Sequence, residues 1–439
     1  MENFFRLLER FIWSFPLLFI LIITHLFFTI KLKFPQFSVH KAIKYLLKKE
    51  NITNNNNSSF KTLMATLAGT LGVGNIVGVA SAITLSGEGV VFWIFVSGFL
   101  AVATKYAETY IILKYRKKDK NGSYYGGTMY VLDERIGSKV LAIMFSIFTI
   151  IASFGIGSMI QSNSATRIIV SNYNIDVKII SFLITAICTY VLIGNSKKIA
   201  NISSIFVPIA SVIYILMCLI IIFKYRINFI PMIKNIFDSA FNFKSFFIGN
   251  SYIYLLNMIS TGLSKGIFSN EAGIGSSPMF DVTTNSENIE EQSLISAFAV
   301  FFDTIIICTL SAITVLITFN YVGISNPEVL INNVFSKVYF GNNFLVVVLV
   351  IFAVATIPCW NYYGNVAVNY LFKNKKIYNI IYNLIYIITI YIGCKMELSV
   401  LWSISSIANA FMCLPNIYMV LKLNKEILYK KVHIKYLQN

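Results

Sequence analysis

Hydrophobic residues in this chain come in runs of membrane length, separated by short polar connections. The runs cover about residues 11–31, 62–84, 89–115, 139–168, 177–195, 201–224, 249–280, 293–320, 343–372, 376–394 and 397–422. A helix needs about 20 apolar residues to cross a bilayer, so the pattern predicts an all-α protein of eleven spans. They are called here span A and spans 1 to 10. Two spans carry interruptions. Span 1 contains Ala68-Gly69-Thr70-Leu71-Gly72-Val73-Gly74-Asn75-Ile76. Span 6 contains Gly262-Leu263-Ser264-Lys265-Gly266-Ile267-Phe268-Ser269-Asn270-Glu271-Ala272-Gly273-Ile274-Gly275. Glycine and asparagine are poor helix formers. Unwound backbone inside hydrocarbon persists only where it faces protein or a polar cavity. Both spans are therefore expected to be broken, with free peptide groups serving a ligand. Each opens a set of five spans. An odd number per set turns the second over, so 61–225 and 249–422 read as inverted repeats about a mid-membrane site. Residues 1–60 supply span A and a basic segment, 226–248 an outer loop, and 423–439 a basic cytoplasmic tail.

Composition agrees with this reading. Of 439 residues 56% are hydrophobic and 13% charged, with a mean hydropathy of +0.71, against about 25% charged in soluble proteins. The net charge of +17 raises nucleic acid as a partner, but Lys and Arg cluster at helix ends, as membrane topology requires. No nucleic-acid partner is expected. Basic loops follow span A, span 2, span 4 and span 8, and the tail is basic from Lys422 to Lys435. All fall on one side, which makes that side cytoplasmic and puts the N-terminus outside a plasma (inner) membrane. Arg6, Arg10 and the outer loop's Arg226, Lys234 and Lys244 pull mildly the other way. Phe37 to Lys49 reads as a basic amphipathic helix on the anionic leaflet. Asn51-Ile52-Thr53 is a glycosylation sequon without meaning on a cytoplasmic loop. The six cysteines lie in apolar runs without CxxC spacing and read as small buried hydrophobes. His25, His40 and His433 are too scattered to form a metal site.

The candidate chemistry sits at the interruptions. In span 1 the half-helix from about Ile76 offers amides around Gly72, Gly74 and Asn75 to a carboxylate. Carbonyls of Ala68, Thr70 and Leu71 lose their helical partners and suit Na⁺. A zwitterion and a cation fit together here; a glycine-rich packing notch is the other reading. In span 6, Lys265 and Glu271 are expensive at membrane depth and read as a candidate gating pair. Asn270 serves the substrate or the unwound backbone, and Phe268 is a candidate lid. Thr356 and Trp360 share one face of span 8, where Pro358 is expected to loosen the turn. Gln161 and Asn163 in span 3 are substrate contacts or interhelical glue. Asp303 in span 7 is either a proton-coupling group or a structural partner. Lys105 and Glu108, at i and i+3, read as a structural pair.

These motifs together resemble the alanine or glycine:cation symporter family, the sodium:alanine symporters of the amino acid–polyamine–organocation superfamily. The matching stretches begin with Leu67 to Ala80, Phe92-Trp93, Ala103 to Glu108, Tyr115-Arg116 and Gly126 to Tyr130. They continue with Gln161 to Ser164, Phe268 to Ser276, Asp303-Thr304 and Trp360 to Gly364. The resemblance implies a LeuT-type 5+5 fold with one extra N-terminal helix and uptake of alanine or glycine driven by Na⁺. It implies substrate contacts at Gly72, Gly74, Asn75, Gln161, Phe268, Thr356 and Trp360, and Na⁺ near Ala68, Leu71 and the span 8 face. The sequence departs from the family pattern at Val73 (for Thr), Ser86 to Gly89, Thr128 (for Pro), Lys265 (for Arg), Ala355 (for Thr) and Pro358-Cys359. A proton-coupled or exchange-type carrier of the same fold is the alternative. A transport-like sensor or an enzyme fits less well, because no output domain and no nucleophile–base set is visible.

Overall fold

The computed structural model describes residues 2–429 apart from 14, 49–55, 195, 242–250, 320–322, 325 and 397. The sequon, the first residues assigned to span 6 and the end of the tail lie outside the described residues. The described chain is helical, apart from a hairpin pairing Lys117–Lys118 with Tyr124–Tyr125 and an isolated bridge between Asn57 and Thr284. Among the described residues eight helices are long and apolar enough to cross a membrane, and a bent pair makes a ninth. The expected spans 4 and 6 fall on Val177–Leu192, a shorter apolar helix, and on Ser251–Asn270.

Span 1 starts where Ser58 accepts the Lys61 amide at 3.3 Å, an N-cap. It runs as helix over Ser59–Thr70, unwinds at Leu71 and Gly72, turns through Val73–Asn75 and resumes over Val77–Ser86. The two halves meet at 65°. The first half lies between span 5 (Ser196–Lys224) and span 8 (Gly341–Leu371). Span 2 (Val90–Lys114) is the central rod, with span A, span 6 and span 7 packed along it. Span 10 (Leu398–Lys422) packs on span 3 (Lys139–Tyr173).

The break in span 6 falls later than its glycines suggest. Helix continues through Gly262 and Gly266 to Asn270. A Cβ on Gly262 would meet Trp93 at 2.5 Å, and one on Gly266 would meet Ser97 at 2.6 Å. These glycines let spans 2 and 6 approach closely. The helix ends at Glu271, held left-handed at φ 55, and Gly273 and Gly275 follow at φ 86 and 81. Three left-handed residues within five positions preclude helix, and only the four-residue turn Pro278–Asp281 follows.

Other expectations shift as well. Span 8 stays continuous through Pro358. The basic segment forms only the short helix Lys41–Leu46, because Val39 and Ala42 are buried against protein and Lys48 pairs with Glu291 at 2.5 Å. The stretch expected as an outer loop holds a helix, Phe229–Ala240, that buries Met232, Ile236 and Ala240. Another helix, Pro327–Phe335, starts where Asn326 accepts the amides of Glu328 and Val329. Spans 3 and 7 each contain a π-helical stretch, Ser153–Met159 and Phe301–Cys308. Such stretches are rare and gather at functional sites.

Candidate functional site

The unwound turn of span 1 is surrounded by spans 3, 6, 7 and 8, and side chains from each cap its peptide groups. Trp360 Nε1 donates to the Gly69 carbonyl at 3.2 Å. Thr356 Oγ1 donates to the Leu71 carbonyl at 3.2 Å and to its own helix at Phe352 at 2.8 Å. The Val73 amide donates to Gln161 Oε1 at 3.2 Å, and the Gly72 amide to Asn75 Oδ1 at 3.0 Å. Gln161, Thr356, Trp360 and Asn75 are all buried. So the peptide groups freed by the break are satisfied by movable side-chain partners rather than by helix. A small zwitterion can replace such partners one for one.

Space at the break is uneven. A Cβ on Gly72 would lie 2.9 Å from the Gln161 amide, whereas one on Gly74 meets nothing within 4 Å. The open side is therefore at Gly74, beside the positive end of the half-helix Val77–Ser86. Trp360 nests into the π-helical stretch of span 3, where a Cβ on Gly157 would lie 2.3 Å from the Trp360 Cβ. Ala68 and Leu71 are fully buried, and Thr70 bonds back to Leu67 at 3.3 Å.

On the other side of the break, Asp303 joins three spans. Its Oδ1 accepts Asn75 Nδ2 at 2.5 Å, and its Oδ2 accepts Ser269 Oγ at 2.6 Å and Thr304 Oγ1 at 3.0 Å. Asn75 Nδ2 also reaches Ser269 Oγ at 2.8 Å. Asn270 caps the end of the span 6 helix, accepting the Ala272 amide at 3.0 Å and donating to Thr304 at 3.2 Å. Phe268 is half-buried, with its ring 5.2 Å from that of Trp402.

The Lys265–Glu271 pair does not form. Helix continues between the two residues, and six positions along it put them on different faces. The Lys265 ammonium lies 5.2 Å from the Trp402 ring centroid. Glu271 instead takes the Ser276 hydroxyl across the unwound segment. Lys105 and Glu108 are 3.2 Å apart and fully buried. Glu108 also holds the Gly273 amide at 3.0 Å and Asn416 at 2.8 Å, and Lys105 bonds Ser277. This pair pins the span 6 break to span 2. Asn163 is interhelical glue, bonding the carbonyls of Gly393 and Met396 at 2.6 Å each.

Sequence reasoning missed Ser269, Thr304 and Asp281. Ser269 and Thr304 each adjoin a residue it singled out. Asp281 falls in what reads as the loop beyond span 6.

Comparison with known proteins places this geometry. Residues 1–438 match the sodium:alanine symporter family. A transporter of Haemophilus influenzae described as uncharacterised is 35% identical over 437 residues, 97% of this chain and 94% of that one. The sodium/alanine symporter AgcS of Methanococcus maripaludis is 33% identical over 431 residues, 95% of this chain and 93% of that one. Among solved structures, MhsT in complex with L-phenylalanine superposes with a TM-score of 0.62 at 13% identity, covering 84% of this chain and 90% of that one. At that identity the likeness shows the fold, which is LeuT-type. A broken first span, a bundle of membrane-length helices and a match along nearly the whole chain lead to one conclusion: the chain belongs to the sodium:alanine symporter family, multi-pass membrane carriers rather than enzymes.

Proposed function

We propose that the protein imports alanine or glycine across the inner membrane, coupled to Na⁺, by alternating access about the span 1 break. The observation that carries this is the set of four peptide groups at the break, two carbonyls and two amides, each held by one side chain. The substrate carboxylate takes the amides near Gly72, Gly74 and Asn75, displacing Gln161 and Asn75. Its ammonium takes the Gly69 carbonyl from Trp360. Phe268 covers the site, and Asn270 keeps the span 6 break in shape. Na⁺ takes the carbonyls of Ala68 and Leu71 with the hydroxyls of Thr356 and Thr70, all hard oxygen ligands. Gln161 of span 3 already crowds Gly72, and Trp360 crowds Gly157, which favours a side chain no larger than methyl. The name of the AgcS relative supports alanine and sodium. The basic loops support a cytoplasmic C-terminus and an outside N-terminus.

A second reading, proton coupling, rests on Asp303, which is fully buried among neutral hydrogen-bond donors. Uptake of labelled alanine into proteoliposomes separates the two. The Na⁺ reading expects accumulation under an inward Na⁺ gradient at constant pH, and none with K⁺ substituted. Accumulation that follows a pH gradient and ignores Na⁺ would establish the second reading instead.

A further inference from the structure

A second polar cluster lies along the half of span 1 that precedes the break. Thr62, Thr66 and Gly69 stand at i, i+4 and i+7 on one face of the helix Ser59–Thr70. The turn Pro278–Asp281 packs against this helix and against spans 2 and 8. Asp281 is fully buried. Its Oδ1 accepts Thr66 Oγ1 at 3.0 Å and its Oδ2 accepts Ser296 Oγ at 2.5 Å. Ser296 accepts Thr109 at 3.0 Å in turn. Every one of these donors is neutral, and Asp281 takes part in none of the ion pairs among the described residues. The nearby cation, Lys105, is committed to Glu108 at 3.2 Å. An ionised carboxylate so placed is costly unless a cation or a proton joins it.

Two hydroxyls in the same region are buried without a hydrogen-bond partner among the described residues. The first belongs to Tyr363, fully buried, whose oxygen would lie 2.5 Å from a Cβ on Gly69. The turn carrying Asp281 reaches the same part of span 8, where the Phe280 ring lies 4.9 Å from that of Tyr362. The second belongs to Thr62. Spans 1 and 8 run antiparallel here, since Thr356 meets Leu71 while Tyr363 meets Gly69. At 1.5 Å per residue, Thr66 lies about 8 Å below Leu71, and the Tyr363 hydroxyl, beside Gly69, lies at a level between the two.

We propose that Asp281, Thr66 and Tyr363, with Thr62 beside them, form a second site for Na⁺, one step nearer the cytoplasm than the site at the break. The inference rests on the Na⁺-coupled reading above. One carboxylate and several hydroxyls are hard oxygen ligands carrying a single negative charge, which matches a small monovalent cation. No cluster of three His, Cys, Asp or Glu among the described residues offers a transition-metal site. An ion leaving Ala68 and Leu71 toward the cytoplasm meets these oxygens next, so it is released through a charged relay rather than through an apolar plug.

Equilibrium binding of ²²Na⁺ to the purified full-length protein, with and without alanine, tests this. The wild type is expected to show two classes of bound Na⁺. Asp281→Asn loses one class, while its alanine binding still rises when Na⁺ is added. Thr356→Ala loses the other class together with that rise. Tyr363→Phe keeps the fold and weakens the Asp281 class by about three- to tenfold, the effect of removing one neutral oxygen ligand. Size-exclusion profiles exclude misfolding as the cause. The second site is overturned if Asp281→Asn binds as much Na⁺ as the wild type, or if the wild type has a single class that Thr356→Ala alone removes. Absence of any Na⁺ binding by the wild type would overturn the coupling reading itself.

Discussion

Trp360 shows how one residue links packing to the site. Its indole closes the Gly69 carbonyl, its ring packs edge-on against Tyr363 at 5.4 Å, and its Cβ occupies the place a side chain at position 157 would need. Gly157→Ala is therefore expected to cost about 1–3 kcal/mol through overpacking and to push Trp360 off the break. Thermal unfolding in detergent and alanine affinity, measured together, should both fall; an unchanged affinity would separate Gly157 from the site. Much at this scale was legible. Gly72, Asn75 and Gln161 announced themselves as residues with no business in hydrocarbon unless they serve a partner. Asp281 did not, because its meaning lies in having no ion pair of its own among the described residues while Lys105 is taken by Glu108, and only three-dimensional packing shows that.

At the scale of elements, the break in span 1 was legible and the break in span 6 was misplaced. A glycine in a membrane helix serves either unwinding or close packing, and sequence alone does not separate the two uses. Gly262 and Gly266 serve packing on span 2, whereas Gly273 and Gly275 adopt the left-handed backbone that ends the helix. The helix Pro327–Phe335 carried a readable signal, Asn at the N-cap followed by Pro at the first helical position. The π-helical stretch around Asp303 carried none. Ahead of span 1 the Asn57 amide donates to the Thr283 carbonyl at 3.0 Å, and the Asn285 amide to the Asn57 carbonyl at 2.7 Å. Arg116 holds that loop through the carbonyls of Thr284 and Ser286, with its guanidinium 3.8 Å from the Tyr124 ring centroid. These bonds tie the start of span 1 to the segment after the span 6 break. Arg116→Ala is expected to speed amide exchange at Asn57 and Asn285 about tenfold or more, the loss of a charge-assisted bidentate contact. Hydrogen exchange read by mass spectrometry checks this, and unaltered protection would show that the loop stands without Arg116.

Across the whole molecule, the chain after span 10 returns to the ends of span A and span 2. Glu426 accepts Lys114 at 2.8 Å, Tyr115 at 2.5 Å and Arg135 at 2.9 Å, and Lys31 bonds Asn424. Hydrogen bonds from Lys114, then Tyr115, hold the Glu426 carboxyl down to about 2. A depressed carboxylate contributes stability that is present above its unfolded value near 4.5 and is lost as pH falls through about 2. This latch should therefore stay closed across the working range of pH, and acid should open it only well below pH 4.5. Glu426→Gln, by contrast, should loosen it at neutral pH. Proteolysis of the tail, compared between wild type and variant at pH 7, reads that difference, and equal rates would show that the latch holds nothing. In the proposed transport cycle the break and its four side-chain caps bind substrate and ion together or not at all. Calorimetric titration of alanine into purified protein, with Na⁺ and with K⁺, tests that dependence most directly. The account predicts binding by the wild type that needs Na⁺, and affinity reduced about 10- to 100-fold in Trp360→Ala and Asn75→Ala. Alanine binding equally tight in K⁺, or unchanged in both variants, would contradict it.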